Sequence, residues 1–227
     1  MGLDSYLNRM PRYKEATAKT VSIIESYLDW CNKKNDPKSE ARKYTLKDWC
    51  GVDERTLPNI DYIHFYENFF KRHYSNWDVE HKYGYDRIME QVGYWRKANH
   101  IHNWFVENVQ YGIDDCQYHD EVTKETLEEL LEVCQKVLDS CELVDSQIQN
   151  GYRYEGNEMV PIMVDGKYMK NTKVAEKLLP TSSGFFFGGT EYDEYYIDDV
   201  KETIDIITKV LETTDFETEM IYYVSSW

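Results

Sequence analysis

The chain has no apolar run near the roughly 18 residues that a bilayer-spanning helix needs. It also has no apolar segment behind its first residues, MGLDSYLNRM. The first absence excludes a membrane-spanning helix, and the second sets the expectation that the chain is not secreted. Positive charge is scarce as well: 26 Lys and Arg stand against 42 Asp and Glu, a formal net charge of −16. That excess repels phosphate backbones at long range and excludes duplex nucleic acid as a partner through a basic face. The cysteines, Cys31, Cys50, Cys116, Cys134 and Cys141, are odd in number and form no Cys-x-x-Cys pair. This argues against a disulfide framework or a zinc ribbon, and a cytoplasmic setting is the expectation.

Aromatic side chains, by contrast, are plentiful at 15% of the 227 residues, and disordered segments are poor in them. The chain is therefore expected to fold. Apolar periodicity predicts helices over 17–33, 59–74, 123–141 and 192–213, with Thr123 as an N-cap and an acidic first turn at Asp193 and Glu194. A short helix is expected around Leu46 to Cys50. A fifth helix is predicted over about 86–110, its apolar stripe running Ile88, Val92, Trp95, His102, Phe105 and Val109, with Asn99 inserted where a hydrophobe would stand. LDSYL and MIYYVSS are β-prone, so that the N- and C-terminal segments would pair. SGFFFGGT (183–190) reads as a buried strand, and 151–170 reads as a hairpin with turns at Glu155-Gly156-Asn157 and Asp165-Gly166. The expected fold class is α+β, a helix-rich single domain over 1–227. A small antiparallel sheet joins its ends, and elaborations lie at about 34–84 and 145–172.

Three stretches concentrate groups that do chemistry. VGYWRKANHIHNWF (92–105) holds Arg96, Lys97, Asn99, His100, His102 and Asn103 among aromatics. On one helix, Trp95, Asn99 and His102 would share a face and Arg96, His100 and Asn103 the next. An aromatic ring to stack on, a cation for phosphate, and an amide and imidazole for directed hydrogen bonds suit a nucleotide or another planar anion. The same pattern also fits a core Trp and buried polar groups that satisfy a neighbouring backbone. His100 and His102 point about 200° apart on a helix, so the pair cannot chelate one metal ion.

Asp114, Asp115 and Cys116 follow directly in YGIDDCQYHDEV. Paired carboxylates can hold a cation or serve as a base, yet a turn closed by Asp side chains has the same composition. Two adjacent carboxylates would raise a thiol pKa, which counts against Cys116 as a nucleophile. LPTSSGFFFGGTEYDEYY (179–196) places Ser182, Ser183 and three glycines ahead of a helix. It lacks the Lys of a P-loop and the Gly-x-Ser-x-Gly of a hydrolase elbow, and Glu191, Asp193 and Glu194 would repel an anion there. The runs LEELLE and YDEYYIDD are the pattern of solvated helix faces.

The start MGLDSYL, the segment VGYWRKANHIHNWFVENVQ followed by GIDDC, and LPTSSGFFFGGTEYDEYY together resemble an uncharacterised phage and prophage-type protein family. The resemblance implies a mobile-element gene in a bacterial cytosol and a part in the contest between phage and host. It carries no activity with it. It gathers Trp95, Arg96, Lys97, Asn99, His102, Asp114, Asp115, Cys116, Ser183 and Gly184 as candidates to line one pocket.

The leading functional expectation is binding of a small anionic ligand, a nucleotide or nucleotide-derived signal, in a counter-defence role. Trp95 or Tyr94 would stack on the base, Arg96 and Lys97 would meet phosphate, Asn99 and His102 would read polar edges, and Asp115 and Ser183 would complete the site. One alternative is an acidic inhibitor that mimics nucleic acid and binds a host protein through its carboxylates and the 151–170 hairpin. Another is a metal-dependent nucleotide-processing enzyme in which Asp114 and Asp115 hold the metal and His102 is acid or base. No cofactor and no oligomeric state follow from the sequence.

Overall fold

The computed structural model of the chain describes residues 2–74, 88–184 and 187–227. Strand β1 (Asp4–Pro11) leads into helix α1 (Ala18–Asn35), α2 (Leu46–Cys50) and α3 (Ile60–Tyr74). Strand β2 (Glu90–Arg96) then precedes α4 (Asn99–Asn108) and α5 (Lys124–Asp139). The hairpin strands β3 (Leu143–Glu155) and β4 (Glu158–Met169) follow, then α6 (Lys173–Leu178), α7 (Glu194–Thr213) and β5 (Glu219–Ser226). The fold is α+β. The N- and C-terminal strands lie in one three-stranded antiparallel sheet of order β2-β1-β5, and β3 and β4 form a second, two-stranded sheet. Among the described residues no helix is long and apolar enough to cross a membrane.

Local chemistry explains where the long helices start. Thr17 caps α1 by accepting from the Thr20 N–H at 3.3 Å, and Thr123 caps α5 by accepting from Thr126 at 3.2 Å. Asp193 caps α7, its Oδ1 accepting from the N–H groups of Tyr195 at 3.0 Å and Tyr196 at 3.1 Å. Each cap satisfies donors that a helix start leaves open and stabilises it by about 1 kcal/mol.

The continuous helix expected over 86–110 does not form, which corrects that reading. Residues 86 and 87 lie outside the described residues, 90–96 are strand β2, and α4 begins only at Asn99. Apolar positions at 88, 92 and 95 fit a helical stripe, but burial alternates instead: Gly93 and Trp95 are buried while Tyr94 and Arg96 are exposed. Valine, tyrosine and tryptophan around a glycine favour a pleated strand over a helix. The Lys97 N–H donates to the Leu3 carbonyl at 2.8 Å, and Lys97 itself takes φ 62, which swings the chain out of the sheet before α4 starts. Trp95, Asn99 and His102 therefore do not share one helix face.

Two other expectations also change. The described residues of 183–190 form no strand, and Phe185 and Phe186 lie outside the described residues. The hairpin is longer than expected and has one turn, at Gly156 and Asn157, with Gly156 at φ 67. Gly166, read as part of a second turn, sits inside β4 opposite Ser146, with the Ile148 side chain packed over it where a Cβ would stand.

The chain divides into two compact units. One comprises Asn8–Glu90 with Asp215–Met220. Its core includes Trp30, Ala41 and Leu46, Tyr13 stacks on Phe65 at 4.1 Å, and the buried Glu25 carboxylate accepts from the Met89 N–H at 3.1 Å. The other comprises Met1–Leu7, Gln91–Thr214 and Ile221–Trp227. There α5 and α7 pack along each other, and a Cβ on Gly93 of β2 would lie 2.9 Å from Ile206 of α7. That approach brings the helix close to the sheet. All the candidate site residues belong to this second unit.

Candidate functional site

Helix α4 carries the densest set of buried polar side chains. Asn99, His100 and His102 are each 2% exposed or less, and each meets a different neighbour. Asn99 holds the 182–189 segment: its Oδ1 accepts from the Ser182 N–H at 2.9 Å, while its Nδ2 donates to the carbonyls of Phe187 at 3.3 Å and Gly189 at 2.7 Å. The described residues of that segment form no strand, and this one amide side chain meets three of their backbone groups. Gly188, at φ 98, lies against the Lys97 carbonyl, and a Cβ there would sit 2.9 Å from that oxygen.

His102 is held at both ring nitrogens. Nδ1 lies 2.8 Å from the Tyr223 hydroxyl and Nε2 lies 3.0 Å from Asp114 Oδ2. A carboxylate only accepts, so Nε2 carries a proton toward Asp114. The Tyr223 hydroxyl also reaches Ser5 Oγ at 3.0 Å, and the Trp227 indole N–H donates to Asp114 Oδ1 at 2.9 Å. The chain of contacts thus runs from Ser5 on β1 through β5 and α4 to Asp114 in the loop after α4. Burial first, then the negative charge of Asp114, pushes the Tyr223 phenol further above its ordinary range, so it stays protonated. Phe187 packs edge-on to the His102 ring at 5.4 Å and against Trp227 at 6.0 Å. Phe105 stacks flat on Tyr223 at 4.1 Å.

His100 faces elsewhere, with its ring 4.2 Å from that of Tyr196 and its Nε2 without a partner. Burial drives its pKa down to about 3, so it is neutral near pH 7. The two histidines of the His-x-His pair thus serve separate surroundings. Among the described residues no three His, Cys, Asp or Glu side chains gather to hold a metal ion.

The remaining candidates lie outside this buried cluster. Trp95 is 1% exposed and gives its indole N–H to Thr203 Oγ1 at 2.9 Å. The exposed ring on β2 is Tyr94, which donates to Asp4 at 2.6 Å. Arg96 and Lys97 are exposed. Asp115 accepts from the Gln117 N–H at 3.0 Å and pairs with His119 at 2.8 Å, and the His119 contact is the main cause holding its carboxyl below the ordinary value. Ser183 is exposed, one residue past the Asn99 anchor. The structure thus joins His102 to Asp114 and ties Asn99 to the 182–189 segment, with Phe187 meeting Asn99 through its carbonyl and His102 through its ring. Trp95 and Asp115 are engaged with other partners.

A general base needs a nitrogen or oxygen within reach of a substrate proton. Both His102 nitrogens are committed inside the protein and the ring is 1% exposed, so the cluster as it stands positions chain segments. Tyr223 and Trp227 belong to no motif that marks them as part of the site. The alternation of Ile221, Tyr223 and Ser225 in MIYYVSS would have placed the Tyr223 hydroxyl on one face with Ser225. Nothing in the sequence marks which partner it meets. On α7, burial first, then Glu202, Asp198 and Asp193, push the Asp199 pKa up to about 7.

The β3–β4 hairpin differs from this cluster. The register pairs Tyr154 with Met159 and Tyr152 with Pro161, so these residues, with Met163, share one face. Tyr152 is 56%, Tyr154 77%, Met159 55% and Met163 50% exposed. Past Ile148 and Val164 no residue of either strand is buried. No protein-family model, curated protein or solved structure matches the chain.

Proposed function

We propose that this chain works by contact with another macromolecule, with the β3–β4 arm as its contact element. The observation that supports this is the arm's exposed apolar face, Tyr152, Tyr154, Met159 and Met163, on a two-stranded sheet in which no residue past Ile148 and Val164 is fully buried. A lone hairpin is marginal in water, and an apolar face on it is a cost that contact recovers. On the phage and prophage resemblance, the contact would serve a counter-defence role. Affinity capture from bacterial lysate with the wild type and with a Tyr152→Ser/Tyr154→Ser variant, each at low and high salt, tests it. A partner held by the wild type and lost by the variant is the expected result. Identical captures from both would remove the proposal.

A second reading, binding of a small anionic ligand, has one favourable observation. Strand alternation leaves Tyr94 and Arg96 exposed on one face of β2, and Lys97, also exposed, follows beside the segment that Asn99 anchors. A stacking ring, two cations and the Ser183 hydroxyl suit a nucleotide phosphate. Calorimetric titration with cyclic and linear nucleotides, with Arg96→Ala and Lys97→Ala as controls, decides it. Heat that is absent for every nucleotide rejects it.

A further inference from the structure

The arm's own chemistry narrows what can cover it. Both of its edges are blunted against strand addition: β4 carries Pro161, which has no N–H to offer, and β3 breaks register between Gln149 and Tyr152, with Gly151 at φ 90. What remains open is the face. By the register Arg153, Glu155 and Glu158 lie on the opposite face, and they are the only charged residues of 146–164, a net −1 of the chain's −16. Arg153 is already paired with Glu155 at 2.6 Å. The distal arm therefore carries little charge to select a strongly basic surface.

Opposite Ile148–Glu155, β4 advances six positions from Val164 to Glu158, roughly 20 Å of strand. That is more than two screening lengths at physiological ionic strength, each about 8 Å. Two copies whose arms overlap while pointing in opposite directions would keep their acid-rich parts about that far apart. At these exposures the four large side chains leave on the order of 500 Å² per copy, so a pair buries about 1,000 Å². This is the lower bound for a specific interface and fits a weak, reversible dimer.

We infer that the face bearing Tyr152, Tyr154, Met159 and Met163 is covered by the same face of a second copy, forming a two-fold dimer by packing sheet on sheet. The inference rests on the contact reading above and names the first partner. Blunted edges and a self-matching face close the assembly at two copies, where an open edge would propagate.

Sedimentation velocity of the full chain, from low to high micromolar concentration and at low and high salt, tests this. The wild type is expected to shift from monomer to dimer as concentration rises. Lowering the salt well below physiological strength is expected to weaken the dimer, because the screening length then exceeds the arm, and salt above that strength is expected to change little. Tyr152→Ser/Tyr154→Ser is expected to weaken association at least tenfold. Tyr154→Lys, at a 77% exposed position that tolerates change, repeats the test should the double variant fold poorly. A wild type that stays monomeric throughout overturns the inference, as does a dimer indifferent to both variants. A monomeric wild type whose lysate partner is still lost in the variant leaves the contact reading standing, whereas variants neutral in both assays remove the two together.

Discussion

Two regions of one compact unit treat their side chains in opposite ways. Around α4, Asn99 uses both amide atoms on backbone, and His102 uses both nitrogens on Tyr223 and Asp114. Along the distal β3–β4 arm, large apolar side chains stand in solvent and charges are few, with Arg153 paired to Glu155. A buried polar group stabilises only while its partners stay in place, so the α4 region is rigid and intolerant of change. An exposed apolar residue contributes little to the folded monomer, so the arm is free to vary for contact. The contrast predicts that stability and association separate, the first residing in α4 and the second in the arm.

Asn99→Asp is the sharpest way to break this contrast. The carboxylate keeps the acceptor for the Ser182 N–H but turns an acceptor toward the Phe187 and Gly189 carbonyls, burying a charge among oxygens. A loss of about 4 kcal/mol is expected in chemical denaturation, with Asn99→Ala costing about 3 kcal/mol. A loss under about 1 kcal/mol would mean that the 182–189 segment holds itself without this amide.

Acid pH gives the next effect, through His100. Its folded pKa is depressed, so below about 6.5 the unfolded chain takes a proton that the folded one refuses, and stability falls as pH drops toward 3. Asp199 acts in the other direction. Its raised folded pKa makes the folded state bind the extra proton, so its contribution declines as pH rises from about 4 to about 7. His100→Leu removes the first slope and leaves the second. Between pH 7 and pH 5 the variant should gain about 2 kcal/mol on the wild type in urea unfolding. Parallel pH profiles for the two proteins would show that the ring is hydrated.

Much of this architecture was legible in the sequence, and the part that was not has a consistent cause. Thr123 and the helix after it, the short helix at Leu46, the pairing of N- and C-terminal strands and the Gly156 turn all rest on local pattern: caps, turns and periodicity. Residues 88–96 fit both a helical and a strand period, and tertiary pairing with β1 decides between them. The 183–190 segment is apolar and glycine-rich like a strand, yet its Phe187 and Gly189 carbonyls meet a side chain 88 and 90 residues away, Asn99, which no local pattern encodes. The same holds for the site. The residue types at 96–102 were visible, but whether their polar atoms face a ligand or their own chain depends on Tyr223, Asp114 and Ser182, brought near only by folding.

Tyr223→Phe refines the α4 side of the comparison. It removes one hydroxyl that touches both Ser5 and His102 and leaves the stack on Phe105 intact. Two buried polar atoms lose a partner and no packing is lost, so the expected cost is about 1.5 kcal/mol, read as a lowered unfolding temperature. If Tyr223→Phe proves neutral, His102 is held by Asp114 alone.

The smallest expected effect lies on the arm. Tyr154 is 77% exposed and makes its cross-strand pair with Met159 in solvent, so Tyr154→Lys removes little buried area and leaves no polar atom unpaired. Its folding stability, measured on dilute monomer, should stay within about 0.5 kcal/mol of the wild type. Cross-strand packing of an aromatic is worth up to about 1 kcal/mol, so a loss at or above that value would assign Tyr154 to holding the hairpin together. Stability that is unchanged together with lost association places the residue on the contact side of the comparison, because the monomer does not need a ring that the dimer requires.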